Sequence, residues 1–161
     1  ALIRVMPNTP ALIGAGISAL YANSNVSDDQ RALAEKIMAA VGKTTWIKEE
    51  TLMDAVTAVS GSGPAYFFYV MQAIYDAAVR EGLDTQTARL LSLETALGAA
   101  RLAVESTEDP GSLQAQVTSP GGTTEAAINV LNNSGVRDAL QKAVSAARAR
   151  GGELAKLLDR E

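Results

Sequence analysis

The 161-residue chain has no cysteine and no histidine. Without cysteine there is no disulfide, no thiolate metal ligand and no cysteine nucleophile. Without histidine, histidine-based triads and the usual zinc sites are excluded within this chain. Positive charge is in deficit: 14 basic residues stand against 18 acidic ones, a formal net charge of −4. That disfavours nucleic acid, which is bound through basic surfaces, and no block of like charge marks an interaction tail. Long apolar runs are missing too. The longest, Pro64 to Met71, falls far short of the roughly 18 residues of a membrane span. The opening ALIRVMPNTP has no basic segment leading into a long apolar one. Together these absences predict a soluble, cytoplasmic protein that uses no metal and binds neither nucleic acid nor membrane.

Hydrophobic residues make up 47% of the chain, enough to build a packed core against the entropy of ordering it. Leu2-Ile3-Arg4-Val5 reads as a strand that begins with no lead-in, so a further N-terminal portion is expected upstream. Met6-Pro7-Asn8-Thr9-Pro10 punctuates it. Residues 16–22 place apolar side chains at Ile17, Ala19 and Tyr21 and read as a second strand. Ser27-Asp28-Asp29 opens a helix that runs to about Val41 and is closed by Gly42. Thr44 to Ile47, β-branched and aromatic, is a third strand. From Glu49 onward the pattern is helical: 50–59, 64–81, 85–105 capped by Asp84, a short helix at Asp109-Pro110, then 122–132 and 135–159. The fold class is mainly α, a small α/β piece (1–48) preceding an all-α piece (49–161). No period repeats and no segment is of low complexity.

The helix Ala65–Val79 has only Gln72 and Asp76 as clearly polar positions. A helix apolar nearly all round must be covered all round, and a piece of about 110 residues has little chain with which to do so. The next helix carries Ala96, Gly98, Ala99, Ala100 and Ala103, small residues that permit close helix approach. An intimate homodimer is expected to complete the burial; the alternative is a central helix wrapped by its own neighbours.

Two glycine motifs invite a dinucleotide reading. Gly14-Ala15-Gly16-Ile17-Ser18-Ala19 matches GxGxxA, and Gly61-Ser62-Gly63 resembles part of it. The fingerprint needs a strand before it and a helix after it; the first match runs into a strand and the second follows a helix, so both are rejected. GSGPAY then reads as a helix entry, with Ser62 as cap and Gly63-Pro64 entering the helix.

TSPGGTTEAA, 118–127, is harder to explain as a corner. Ser119 suits the cap, Pro120 the first helical position and Gly121-Gly122 the first turn. The first amides of a helix lack intrahelical partners, and the helix dipole draws a carboxylate towards them. Two glycines leave them bare, and Thr123 and Thr124 add hydroxyls. A plain Pro-Gly corner needs one glycine and no such surplus of hydroxyls. The charged residues suggest less. Glu108 and Asp109 read as helix-start charges, Asp76 as structural, and Arg148, Arg150, Glu153, Lys156 and Asp159 as a solvated face.

Taken together, SGSGPAYFF and, some 55 residues on, TSPGGTTEAA closely resemble the pyrroline-5-carboxylate reductase family, as do RVMPNTPALIGAG and LMDAVTAVSGSGPAY. The resemblance runs in order over essentially the whole chain. It implies a helical dimerisation domain preceded by the last α/β elements of a Rossmann-type domain, whose phosphate-binding loop would lie upstream. It implies reduction of (S)-1-pyrroline-5-carboxylate to L-proline with NADPH or NADH, by the intact protein rather than by this portion alone. By the same resemblance Ser119, Gly121, Gly122 and Thr123 hold the substrate carboxylate. Thr124 bonds the ring nitrogen as candidate proton relay, Met6, Pro7 and Asn8 lie near the cofactor, and Pro64 lies against the nicotinamide. The dimer would be interleaved, or part of a higher oligomer built from dimers, with one subunit's carboxylate loop facing the other's cofactor side. A helical dimer module without catalysis, or another dehydrogenase with an all-α C-terminal half, stays open. The latter would show a lysine and a nearby asparagine on a helix, a pair not evident here.

Overall fold

The computed structural model describes residues 1–158. Three strands form its sheet among the described residues: β1 (Ile3–Met6), β2 (Gly16–Ala22) and β3 (Gly42–Trp46), in the order β1-β2-β3. β1 pairs antiparallel with β2, Met6 opposite Ala19; β2 pairs parallel with β3, Gly16 opposite Gly42. The central strand is buried on both faces, with Ser18, Ala19, Leu20 and Ala22 all inside. The alternation Ile17, Ala19, Tyr21 therefore marks the strand but misstates its faces, since Ile17 and Tyr21 are half-buried. A strand covered on two sides need not alternate.

Glycine shapes the sheet where backbones crowd. β3 starts at Gly42, two residues before the expected strand; its φ is +149°, and a Cβ there would collide with the carbonyl of Gly16. A Cβ on Gly16 would stand 2.8 Å from Ala11. In the first motif Gly16 is needed for that contact and Gly14 for its left-handed φ of +72° at the end of the turn before β2, so neither requires a phosphate. Ala11 belongs to a 3-10 turn, Thr9–Ile13, started by Pro10 and not foreseen from the sequence.

Helix α1 (Asp28–Ala39) is opened by a reciprocal cap between Ser27 and Gln30. It is tied to β3 by Glu35, whose carboxylate accepts from the Thr44 hydroxyl at 3.2 Å and the Trp46 indole at 3.3 Å. The stretch expected as one helix over 50–59 is composite: a 3-10 turn (Glu50–Leu52), one turn of α2 (Met53–Val56) and a π-turn (Thr57–Gly61). Then follow α3 (Gly63–Arg80), α4 (Thr85–Glu105), α5 (Pro110–Gln116), α6 (Thr123–Asn133) and α7 (Val136–Leu158). Asp84 and Asp109 cap α4 and α5 as their sequence positions require. Ser62 caps nothing: it sits in right-handed helical conformation between the π-turn and α3, which run on almost without a break. Arg148, Arg150, Glu153 and Lys156 are exposed on α7 as expected, while Asp159 lies outside the described residues.

Two compact units form, Ala1–Tyr66 with the segment from Gln141 on, and Phe67–Leu140. In the first, Gly151 and Gly152 of α7 lie beside the Asp54 carboxylate. In the second, the apolar helices are far from covered. Phe67, Phe68 and Tyr69 of α3 are 68%, 64% and 78% exposed, and Leu90, Leu91 and Leu102 of α4 are more than half exposed. Full burial of such side chains is worth about 1.5–3 kcal/mol each, so most of that stabilisation is unrealised within one copy. The wrapped central helix is not what forms.

Candidate functional site at the start of helix α6

Ser119-Pro120-Gly121-Gly122 forms a β-turn rather than a first helical turn. The Gly122 amide donates to the Ser119 carbonyl at 3.0 Å, and Gly121 has φ +72°. Proline second and a left-handed glycine third are the marks of a type II turn. The expected placement is thus corrected: Ser119 is not the cap and Pro120 not the first helical residue. Gly122 is the cap, in extended conformation, with no side-chain cap bond, and α6 begins at Thr123.

The shift decides which amides are free. Gly121 donates to the Glu125 carboxylate at 2.8 Å, and Gly122 is committed to Ser119. Neither glycine amide is available. No described residue accepts from the amides of Thr123, Thr124 or Glu125, because Gly122 offers no capping side chain. Those three donors stand at the positive end of an 11-residue helix, where an anion is favoured by roughly 0.3–1 kcal/mol at an exposed site. Gly122 has a steric task instead: a Cβ there would lie 2.6 Å from the Ser119 hydroxyl oxygen. Its absence lets that hydroxyl fold over the helix start. The hydroxyls of Ser119, Thr123 and Thr124 have no partner among the described residues, whereas that of Thr118 is spent on the Gln114 carbonyl at 2.6 Å. Glu125, which sequence reasoning passed over, closes the turn. Its signal is visible afterwards: an acid three residues beyond an N-cap turns back towards the helix start.

The residues expected near the cofactor lie in the other unit. Asn8 spends its side-chain oxygen on the Ile17 amide at 3.0 Å, holding the end of β1 to the start of β2. Pro7 is exposed. Met6 reaches the π-turn: a Cβ on Gly61 would stand 2.5 Å from the Met6 methyl. Gly63 is buried, yet a Cβ on it would meet nothing within 4 Å, and Pro64 follows it at the start of α3. Among the described residues no group of three or more acids, cysteines or histidines is placed to hold a metal ion, and no helix is long and apolar enough to cross a membrane. A groove of about 440 Å³ between α3 and α4, lined by Phe68, Met71, Tyr75, Arg89, Ser92 and Leu93 among others, shares no residue with the turn before α6.

A family model for pyrroline-5-carboxylate reductase dimerisation matches residues 50–154. A pyrroline-5-carboxylate reductase of Pseudomonas aeruginosa is 50% identical over 157 residues, covering 98% of this chain and 58% of that protein. The structure of a pyrroline-5-carboxylate reductase from Coxiella burnetii superposes with a TM-score of 0.91 at 48% identity, over 94% of this chain and 56% of its own. That of a Plasmodium falciparum pyrroline carboxylate reductase with NADP bound gives 0.87 at 32% identity, over 94% and 62%. The chain thus spans about three fifths of the length of these relatives.

Proposed function

Since the chain belongs to the pyrroline-5-carboxylate reductase family, we propose that it is the substrate-holding and dimer-forming part of a cytoplasmic imine reductase. With the nucleotide-binding portion expected upstream, it would convert (S)-1-pyrroline-5-carboxylate to L-proline, the last step of proline biosynthesis. The observation that carries this reading is the uncapped start of α6, where the amides of Thr123, Thr124 and Glu125 and the hydroxyls of Ser119, Thr123 and Thr124 have no partner among the described residues. The amides of Thr123 and Thr124 and the hydroxyls of Ser119 and Thr123 bind the carboxylate; Gly121 and Gly122 shape the turn rather than donate to it. NADPH or NADH supplies the hydride taken up by the imine carbon. Thr124 holds the ring nitrogen through its hydroxyl. An ordinary hydroxyl is a weak acid, so the imine is taken up protonated and Thr124 aligns it; alignment of this kind contributes up to roughly 7–11 kcal/mol in the best intramolecular models. Met6, Pro7 and Asn8 line the cofactor side and Pro64 meets the nicotinamide ring.

A second copy of the chain covers α3 and α4, either as a dimer or within a higher oligomer built from dimers. The exposed Phe67, Phe68 and Tyr69 support this. Residues 49–161 form the dimerisation and substrate domain and 1–48 the end of the cofactor domain; the family match beginning at residue 50 supports that boundary.

Calorimetric titration with L-proline, using L-prolinamide, whose carboxylate is replaced by an uncharged amide, as control, tests the carboxylate site. Saturable binding lost on Thr123→Pro is expected, and absence of binding by a folded dimer sinks the reading. In the intact reductase, Thr124→Val is expected to lower kcat by roughly a hundredfold, as loss of alignment does, with cofactor affinity unchanged. Wild-type turnover in that variant refutes the role of Thr124.

A further inference from the structure

The π-turn Thr57–Gly61 is held by a bond with no part in the chemistry proposed so far. Within it the Ser62 amide donates to the Thr57 carbonyl at 2.8 Å, five residues back. The carbonyl of fully buried Ala58 accepts from the phenol of Tyr66 at 3.0 Å, across eight residues and from the first turn of α3. Meanwhile Ser60 has its hydroxyl oxygen buried with no partner among the described residues. A buried hydroxyl without a partner is unfavourable, and in ordinary α-helix a serine commonly bonds the carbonyl four residues back. The turn therefore persists against a local cost. Widened turns of this kind recur at functional sites because they re-aim the residues around them.

What this turn aims is visible on both sides. Gly61 is packed so closely against the Met6 methyl that a Cβ there would displace it, and Pro64 stands three residues later, in the same helical turn as Tyr66. We infer that Tyr66 is a positioning residue for hydride transfer: by donating to the Ala58 carbonyl it locks the π-turn and so fixes Met6 and Pro64, the two faces offered to the nicotinamide. This rests on the reductase reading above. Tyr66 touches neither substrate nor cofactor in this role; it acts through the turn.

Tyr66→Phe keeps the ring and removes the donor. In the intact reductase it is expected to lower kcat about tenfold, as misplacement of reacting groups does. The KM for the imine should stay within about twofold, and the deuterium isotope effect with cofactor labelled at the transferred hydrogen should rise. In the chain of 161 residues, amide exchange at 58–62 is expected to accelerate. Thr57→Val is the control: it removes another hydroxyl from the same turn, bonded to the Met53 carbonyl at 2.9 Å, and should lower the melting temperature while leaving the isotope effect alone. An unchanged isotope effect in Tyr66→Phe overturns the inference, whatever the exchange shows. So does Thr57→Val reproducing every effect, which would make Tyr66 merely structural. A wild-type enzyme that reduces no imine overturns the reductase reading and this inference's kinetic half with it, while amide exchange still decides whether Tyr66 locks the turn.

Discussion

At Gly122 a single missing methyl decides the shape of the site. The Ser119 hydroxyl occupies the space a Cβ would need, 2.6 Å away, so any side chain pushes that hydroxyl off the helix start or opens the turn. Gly122→Val in the intact reductase is expected to raise the KM for the imine tenfold or more with kcat reduced less, the pattern of lost ground-state binding. In the present chain it should weaken L-proline binding in a calorimetric titration by a similar factor. An unaltered KM would separate Gly122 from the carboxylate. Gly121 is a different case: its left-handed φ of +72° is what type II turns demand, and its amide is already satisfied by Glu125. The two glycines look alike in sequence, yet one serves conformation and the other clearance.

Among the elements, those specified by local chemistry were legible. Ser27 with Gln30, Asp84 before Thr85, and Asp109 before Pro110 each fix a helix start within a few residues, because a side-chain oxygen meets amides that nothing else satisfies. The bonds leave a titration signature. Asp84 is held below the ordinary carboxylate value of 3.8 by the Thr87 hydroxyl first, then by the Thr87 and Gln86 amides; Asp109 is lowered likewise by the Ser112 hydroxyl and the Ser112 and Gly111 amides. With the folded value depressed, the unfolded chain binds more protons across the acid range, so the stabilisation is present above 3.8 and fades as pH falls through the lower folded value. Asp84→Ala should therefore melt below wild type at neutral pH, with the gap narrowing in acid. Melting curves across that range check it; a gap independent of pH would detach the effect from ionisation. The start of α6 was misplaced because Ser-Pro satisfies two grammars at once. It serves as cap and first helical residue, or as the first two positions of a β-turn. The following Gly121 was the discriminating signal, since Pro-Gly favours the turn. The π-turn left no such signal: its register depends on Tyr66 reaching back eight residues and on Met6 arriving from β1.

For the whole molecule, the unfinished surface is the main fact. Covering Phe67 and Phe68, each about two-thirds exposed, would recover roughly 1–2 kcal/mol apiece, and the proposed partner copy is what would do it. Gly98 lies mid-helix in α4 with nothing near its missing Cβ, so a larger side chain is harmless to one copy and obstructive to two. Gly98→Leu is expected to shift sedimentation from dimer to monomer while the circular dichroism of the helices is kept. A stable dimer in that variant would move the interface elsewhere. Among the described residues the exposed carboxylate of Asp76 accepts from the side-chain amide of Gln72, within α3, at 2.8 Å.

The sequence by itself determined the order and kind of nearly every element, the exclusion of histidine and cysteine chemistry, and the two motifs that place the chain in its family. Each of these depends on residues within a few positions of one another. Tertiary structure alone decided which amides before α6 remain free, because that turns on the sign of one glycine's φ and on Glu125 folding back. It also decided that the turn between α2 and α3 is a π-turn and that β2 is covered on both faces. Those outcomes follow from atoms brought together across the fold, where packing rather than local preference sets the geometry.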